Sequence, residues 1–146
     1  MTRTLVRAAL ALSLLAPLGC GDDDLIGPGN PGAVQITGER VQQQPATPTV
    51  TATATPGTIT VAGDFHAECD LGSRFVATVA RHGDEIDLSV RYDHTSACSG
   101  VASPMRYTAV VSGVPAGTYT LDVYHLNDLR QFTPGARVSR VQVVVP

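Results

Sequence analysis

From Ile59 onward, apolar and polar residues alternate with period two, as strands with one buried face require. Ile59, Val61, Phe65, Ala67 and Cys69 share one parity, and Thr60, Asp64, His66 and Glu68 the other. Gly63 interrupts that run and predicts a break or bulge. Phe75 to Ala80 predicts the next strand, and His82-Gly83-Asp84-Glu85 the turn after it. The clearest amphipathic strand follows: Ile86, Leu88, Val90 and Tyr92 point inward, and Asp87, Ser89, Arg91 and Asp93 outward. A polar loop over 93–104 contains Cys98. Three more strands are expected over Arg106–Ser112, Thr118–His125 and Val138–Val145, separated by Gly113-Val114-Pro115-Ala116-Gly117 and by a loop through Pro134-Gly135. No window beyond the first twenty residues shows helical periodicity. The expected fold is all-β: one sandwich of about seven antiparallel strands, occupying residues 58–146.

The chain N-terminal to that domain has a different composition. Gly27-Pro28-Gly29-Asn30-Pro31-Gly32 offers turns and nothing to pack, and a Pro/Thr/Ala run reaches Gly57. Such composition stays extended and solvated, because its apolar content does not offset the entropy lost on ordering. Residues 20–57 therefore read as a flexible Pro/Thr/Gly-rich stalk. Within it, Val34, Ile36 and Val41 fit a short strand, and Thr49-Val50-Thr51-Ala52-Thr53 alternates well enough to be an edge strand instead.

The first nineteen residues read as a signal peptide. Arg3 and Arg7 precede an apolar run from Ala8 to Leu18. That run is shorter than the roughly 20 residues needed to span a bilayer, and it suits the apolar region of an export signal. It ends in Pro17-Leu18-Gly19-Cys20, which resembles the lipobox of bacterial lipoproteins, with Pro17 where that family usually has Leu. The resemblance implies cleavage before Cys20 and lipid on its thiol. Each buried methylene contributes about 0.8 kcal/mol, so two or three acyl chains hold a protein firmly on a membrane. Gly21-Asp22-Asp23-Asp24 looks like the tether that follows many lipidated cysteines. Gly21, where an Asp would direct retention at the inner membrane, favours the outer membrane or cell surface.

With Cys20 lipidated, Cys69 and Cys98 remain. An even pair in an exported chain implies one disulfide. Closing a loop of about 30 residues is worth about 3–4 kcal/mol in the chain-entropy account. No CxxC spacing supports a zinc site at these thiols.

Charge narrows the partners. The 146-residue chain carries thirteen acids and ten bases, all of them arginine, for a net charge of −3. Without residues 1–19 eight arginines remain against thirteen acids, or −5. This argues against nucleic acid and against attraction to anionic lipid, so an acyl group must provide any membrane anchor. Arg74, Arg81, Arg91, Arg106, Arg130, Arg137 and Arg140 are scattered, as expected for surface partners of acids.

The stretch Ser112-Gly113-Val114-Pro115-Ala116-Gly117-Thr118-Tyr119-Thr120-Leu121-Asp122-Val123 resembles a hairpin of immunoglobulin-like and carboxypeptidase-regulatory-like (transthyretin-like) β-sandwich domains. The resemblance implies a corner in which Pro115 and Gly117 turn the chain and the Tyr119 hydroxyl returns to nearby backbone. Leu121 stands where antibody domains have a cysteine. The motif speaks for fold and carries almost nothing about activity.

No GxSxG, HExxH or phosphate-binding glycine loop is present, so the expectation is a non-enzymatic module without cofactor. Its expected partners are the membrane, through the lipid, and an envelope protein or polysaccharide. These would bind through loop 93–104 or through an added strand at an edge such as Val141–Val145. The alternative is a small zinc- or copper-binding module. Asp64, His66 and Glu68 alternate along one face, with His82, Asp84, Asp93, His94 and His125 at turns and strand ends. The plainer reading of these residues is a solvated sheet face.

Overall fold

A computed structural model describes residues 33–67, 74–93, 102–130 and 135–146. Eight strands are present: β1 (Val34–Arg40), β2 (Val50–Thr55), β3 (Thr58–Ala67), β4 (Arg74–His82), β5 (Glu85–Asp93), β6 (Ser103–Ser112), β7 (Gly117–His125) and β8 (Ala136–Val145). They form two four-stranded sheets, ordered β1-β6-β3-β2 and β4-β5-β7-β8. The residues predicted to point inward form the layer between them: Ile59, Val61, Phe65, Ile86, Leu88, Val90, Leu121 and Val123 are buried together. Each such side chain contributes about 1.5–3 kcal/mol of transfer free energy. Edge strands also approach edge strands, β1 beside β4 and β2 beside β8.

Two findings revise the expected architecture. First, β1 and β2 lie inside the stretch read as stalk, yet β1 pairs with β6 over seven residues and β2 with β3 over six. Both are short edge strands burying only alternate residues, and only in part. Both fall where the sequence offered a strand as the alternative to a stalk, and pairing to β6 and β3 outweighs their linker-like composition. Second, not every pair is antiparallel, because β5 runs parallel to β7. The strand between them in sequence, β6, lies in the opposite sheet, so the chain reverses twice before returning beside β5.

Gly63 does not produce a bulge. β3 pairs with β6 in unbroken register from Thr58↔Ser112 to Ala67↔Ser103. The register places Gly63 on one side of Tyr107 and Gly38 on the other. A Cβ at Gly63 would lie 2.4 Å from the Tyr107 hydroxyl, and one at Gly38 would lie 2.1 Å from the Phe75 ring. The two glycines therefore make room for aromatic rings. Phe65, Phe75, Tyr92 and Tyr107 pack with centroids 4.9–6.5 Å apart.

The strand directions give the sandwich two unlike ends. At one, β1 begins and short turns join β2 to β3, β4 to β5 and β6 to β7. Here the Tyr119 hydroxyl donates to the Pro115 carbonyl at 3.0 Å, and Val114 N–H bonds Gly57 O at 3.1 Å. At the other end, β1, β3, β5 and β7 finish and the longer connections leave.

Candidate functional site

The groups with chemical potential gather at the end bearing the longer connections, and they are built from three segments. β7 delivers His125 into the core, where it is fully buried beside Phe65 and Tyr107. The segment Leu126–Arg130 then crosses from the second sheet to the first. Leu126 N–H bonds Val90 O at 2.9 Å, the Asn127 side chain brackets the Tyr92 backbone at 2.8 and 3.0 Å, and Leu129 N–H reaches His66 O at 3.1 Å. The third segment, residues 41–49, is a strap running from β1 at one edge of the first sheet to β2 at the other. Val41 N–H bonds Pro104 O at 2.9 Å, and the Gln44 amide donates to Met105 O.

These segments enclose a chain of polar contacts. His125 lies 3.1 Å from an Asp128 carboxylate oxygen through Nδ1 and 3.0 Å from the Tyr107 hydroxyl through Nε2. An ionised carboxylate only accepts, so Nδ1 carries a proton, and in the neutral ring Nε2 is then the acceptor for the Tyr107 hydroxyl. Arg130 closes the network with its side chain only 8% exposed. Its Nε donates to Asp128 Oδ1 at 3.0 Å, and its Nη2 to Asp128 Oδ2 at 2.6 Å and to Asp64 O at 2.7 Å. Nη1 reaches Pro45 O on the strap at 3.3 Å.

Burial raises the pKa of the Asp128 carboxyl, but hydrogen bonds from His125 and Arg130 and the guanidinium charge outweigh it and hold the group far below the usual carboxylate range. Burial, aided by the charges of Asp128 and Asp64, pushes the Tyr107 hydroxyl well above the ordinary tyrosine value. His66 is lowered, first by burial and then by Arg130, against the opposing pull of Asp128 and Asp64.

Asp64 and His66 share the outer face of β3. Asp64 is 3% exposed because the strap covers it. Its carboxylate accepts from the Thr49 hydroxyl and faces Arg106 Nε at 3.4 Å. Glu68 lies outside the described residues, as do His94 and all three cysteines, Cys20, Cys69 and Cys98. His125 ends β7 as expected, and its ring lies in the core with both nitrogens engaged. His82 sits 3.9 Å from Asp87 at an exposed turn.

One carboxylate cluster that the sequence did not single out lies on the outer face of the second sheet. Glu85, Asp87 and Asp122 bring carboxylate oxygens within 4.8 Å of one another. The parallel register sets Asp87 directly beside Asp122, an unfavourable like-charge pair. Arg137 and Arg140 relieve it, standing 3.3 and 3.2 Å from the two oxygens of Asp122. Arg140 also holds Glu85 at 3.1 Å. A cation there would have to displace two arginines. The cluster went unseen because a parallel β5–β7 pair leaves no mark in the local pattern.

The expected edge, Val141–Val145, belongs to the terminal strand of its sheet, but β2 of the other sheet lies beside it. On that strand Val144 remains 66% exposed. Comparison with protein families, curated proteins and solved structures gives no match to the chain.

Proposed function

We propose that the chain is a lipid-anchored envelope protein whose β-sandwich serves as a non-enzymatic binding or structural module. The observation that carries this reading is the apolar run Ala8–Leu18 ending in Gly19-Cys20. The signal and lipobox precede the sandwich, so lipid on Cys20 would leave the domain on a tether of about a dozen residues before β1. β1 starts at the end opposite the one where β3, β5 and β7 finish, so that far end would face a partner. That partner is an envelope protein or a surface polysaccharide. The outer membrane or cell surface is the expected location.

The tyrosine corner at Pro115, Gly117 and Tyr119 supports the finer reading of an immunoglobulin-like or carboxypeptidase-regulatory-like domain. A disulfide between Cys69 and Cys98 is supported by topology. Ala67 pairs with Ser103 and Arg74 with Asp93, so both cysteine-bearing connections leave the same end of the sandwich. The internal engagement of Asp64, His125, Asp128 and Arg130 favours structural roles for these groups over turnover or metal binding.

Intact mass spectrometry of the mature protein from a bacterial membrane fraction tests the reading. The expected species begins at Cys20, carries acyl mass and has lost two hydrogens to a disulfide. A soluble, uncleaved chain with reduced thiols would overturn it.

A further inference from the structure

The strap 41–49 and the segment 126–130 are fastened to different sheets. The strap is tied to the first sheet through Val41–Pro104, Gln44–Met105 and Thr49–Asp64. The other segment is tied mainly to the second sheet, through Leu126–Val90, Asn127–Tyr92 and Asp128–His125. Arg130 bridges them, donating to Pro45 O on the strap, to Asp64 O beneath it and to both oxygens of Asp128. Losing that guanidinium strands the carbonyl of buried Asp64 and the buried Asp128 carboxylate at once, and cuts the tie to Pro45 O on the exposed strap.

We propose that the strap and the segment 126–130 form a single latched cap over this end of the sandwich, opening and closing as one unit with Arg130 as its bolt. A contact that loosens Leu126–Arg130 thereby loosens the strap, and with it the junction between β1 and β2. This couples one end of the domain to its N-terminal strand through an opening below global unfolding.

Residue-resolved amide exchange by NMR on the full chain tests the coupling. Val41 and Asp64 amides report the strap, because they bond Pro104 O and Thr49 O. Leu126 and Leu129 amides report the other segment. In native protein under increasing urea, all four exchange curves should merge into one, below that of the β3–β6 ladder. Asn127→Ala removes the bracket on the Tyr92 backbone, in the second sheet. It should speed exchange at all four amides together, by about tenfold. With Arg130→Met added, it should speed only Leu126 and Leu129. Strap amides that ignore Asn127→Ala while Arg130 is intact would overturn the proposal. Should either variant unfold, ladder amides will exchange too, and the urea series on the native protein decides: separate curves for the two segments refute the single cap.

Discussion

Replacing Gly63 with alanine isolates the part of the core that the alternation pattern leaves unspecified. The backbone at Gly63 needs no left-handed conformation, so alanine gains about 0.5–1 kcal/mol from the unfolded state. Sterics oppose it. The new Cβ would sit 2.4, 2.5 and 2.7 Å from the Tyr107 hydroxyl and two ring carbons. The ring is fully buried against Phe75 and His125 and has nowhere to retreat. Overpacking of this kind costs about 1–3 kcal/mol. Displacing the hydroxyl also breaks its bond to His125 Nε2, and a buried acceptor without a partner costs about 1–3 kcal/mol. The expected net loss is about 2–4 kcal/mol, or about 1–2 M in the urea midpoint at unchanged slope. Tyr107→Phe makes the same His125 acceptor an orphan. In the double variant it should therefore cost at least about 1 kcal/mol less than in the native background. Stability within about 0.5 kcal/mol of native for Gly63→Ala, or strict additivity in the cycle, would refute the reasoning.

Three further outcomes follow from the same contacts. Tyr119→Phe removes the hydroxyl that donates to Pro115 O and should cost about 0.5–1.5 kcal/mol in urea unfolding, with no change in secondary structure by circular dichroism. The folded state holds the Asp128 carboxyl below its unfolded value, so its stabilisation is complete above about pH 4 and fades as pH falls through the folded value. The stability difference between native protein and Asp128→Asn should thus be flat near neutrality and shrink on acidification; growth of that gap in acid would contradict the assignment. Finally, Arg137→Ala with Arg140→Ala leaves Asp122, 1% exposed, as an unpaired buried charge and should cost about 3–5 kcal/mol by denaturant titration. Adding Asp122→Asn should recover most of it, and no recovery would show that the arginines act through packing alone.

Strand positions were legible wherever one face meets the core. β3, β5 and β7 follow the alternation of Ile59/Val61/Phe65, Ile86/Leu88/Val90 and Tyr119/Leu121/Val123 almost residue for residue. The turns at Gly83 and Gly113 were legible too, because both adopt the left-handed backbone that glycine tolerates. β1 and β2 were legible only as alternatives to a stalk, since edge strands with half-buried small residues have the composition of a linker. The candidate site was the least legible part. Asp64, His66 and His125 were visible as residues with chemistry, but their partners Thr49, Arg106, Tyr107, Asp128 and Arg130 lie from 3 to 66 positions away, and most are distant in sequence.

Alternation by itself determined which side chains face inward, because each strand's pleat sends successive residues to opposite faces whatever lies beside it. Tertiary structure alone decided which strand lies next to which. It made β5 and β7 parallel, turned Gly63 from a presumed irregularity into space for Tyr107, and drew Arg130 under the strap. Those outcomes depend on contacts between distant segments, and no local pattern of hydrophobicity encodes the neighbour across the sheet or the ring that fills a gap.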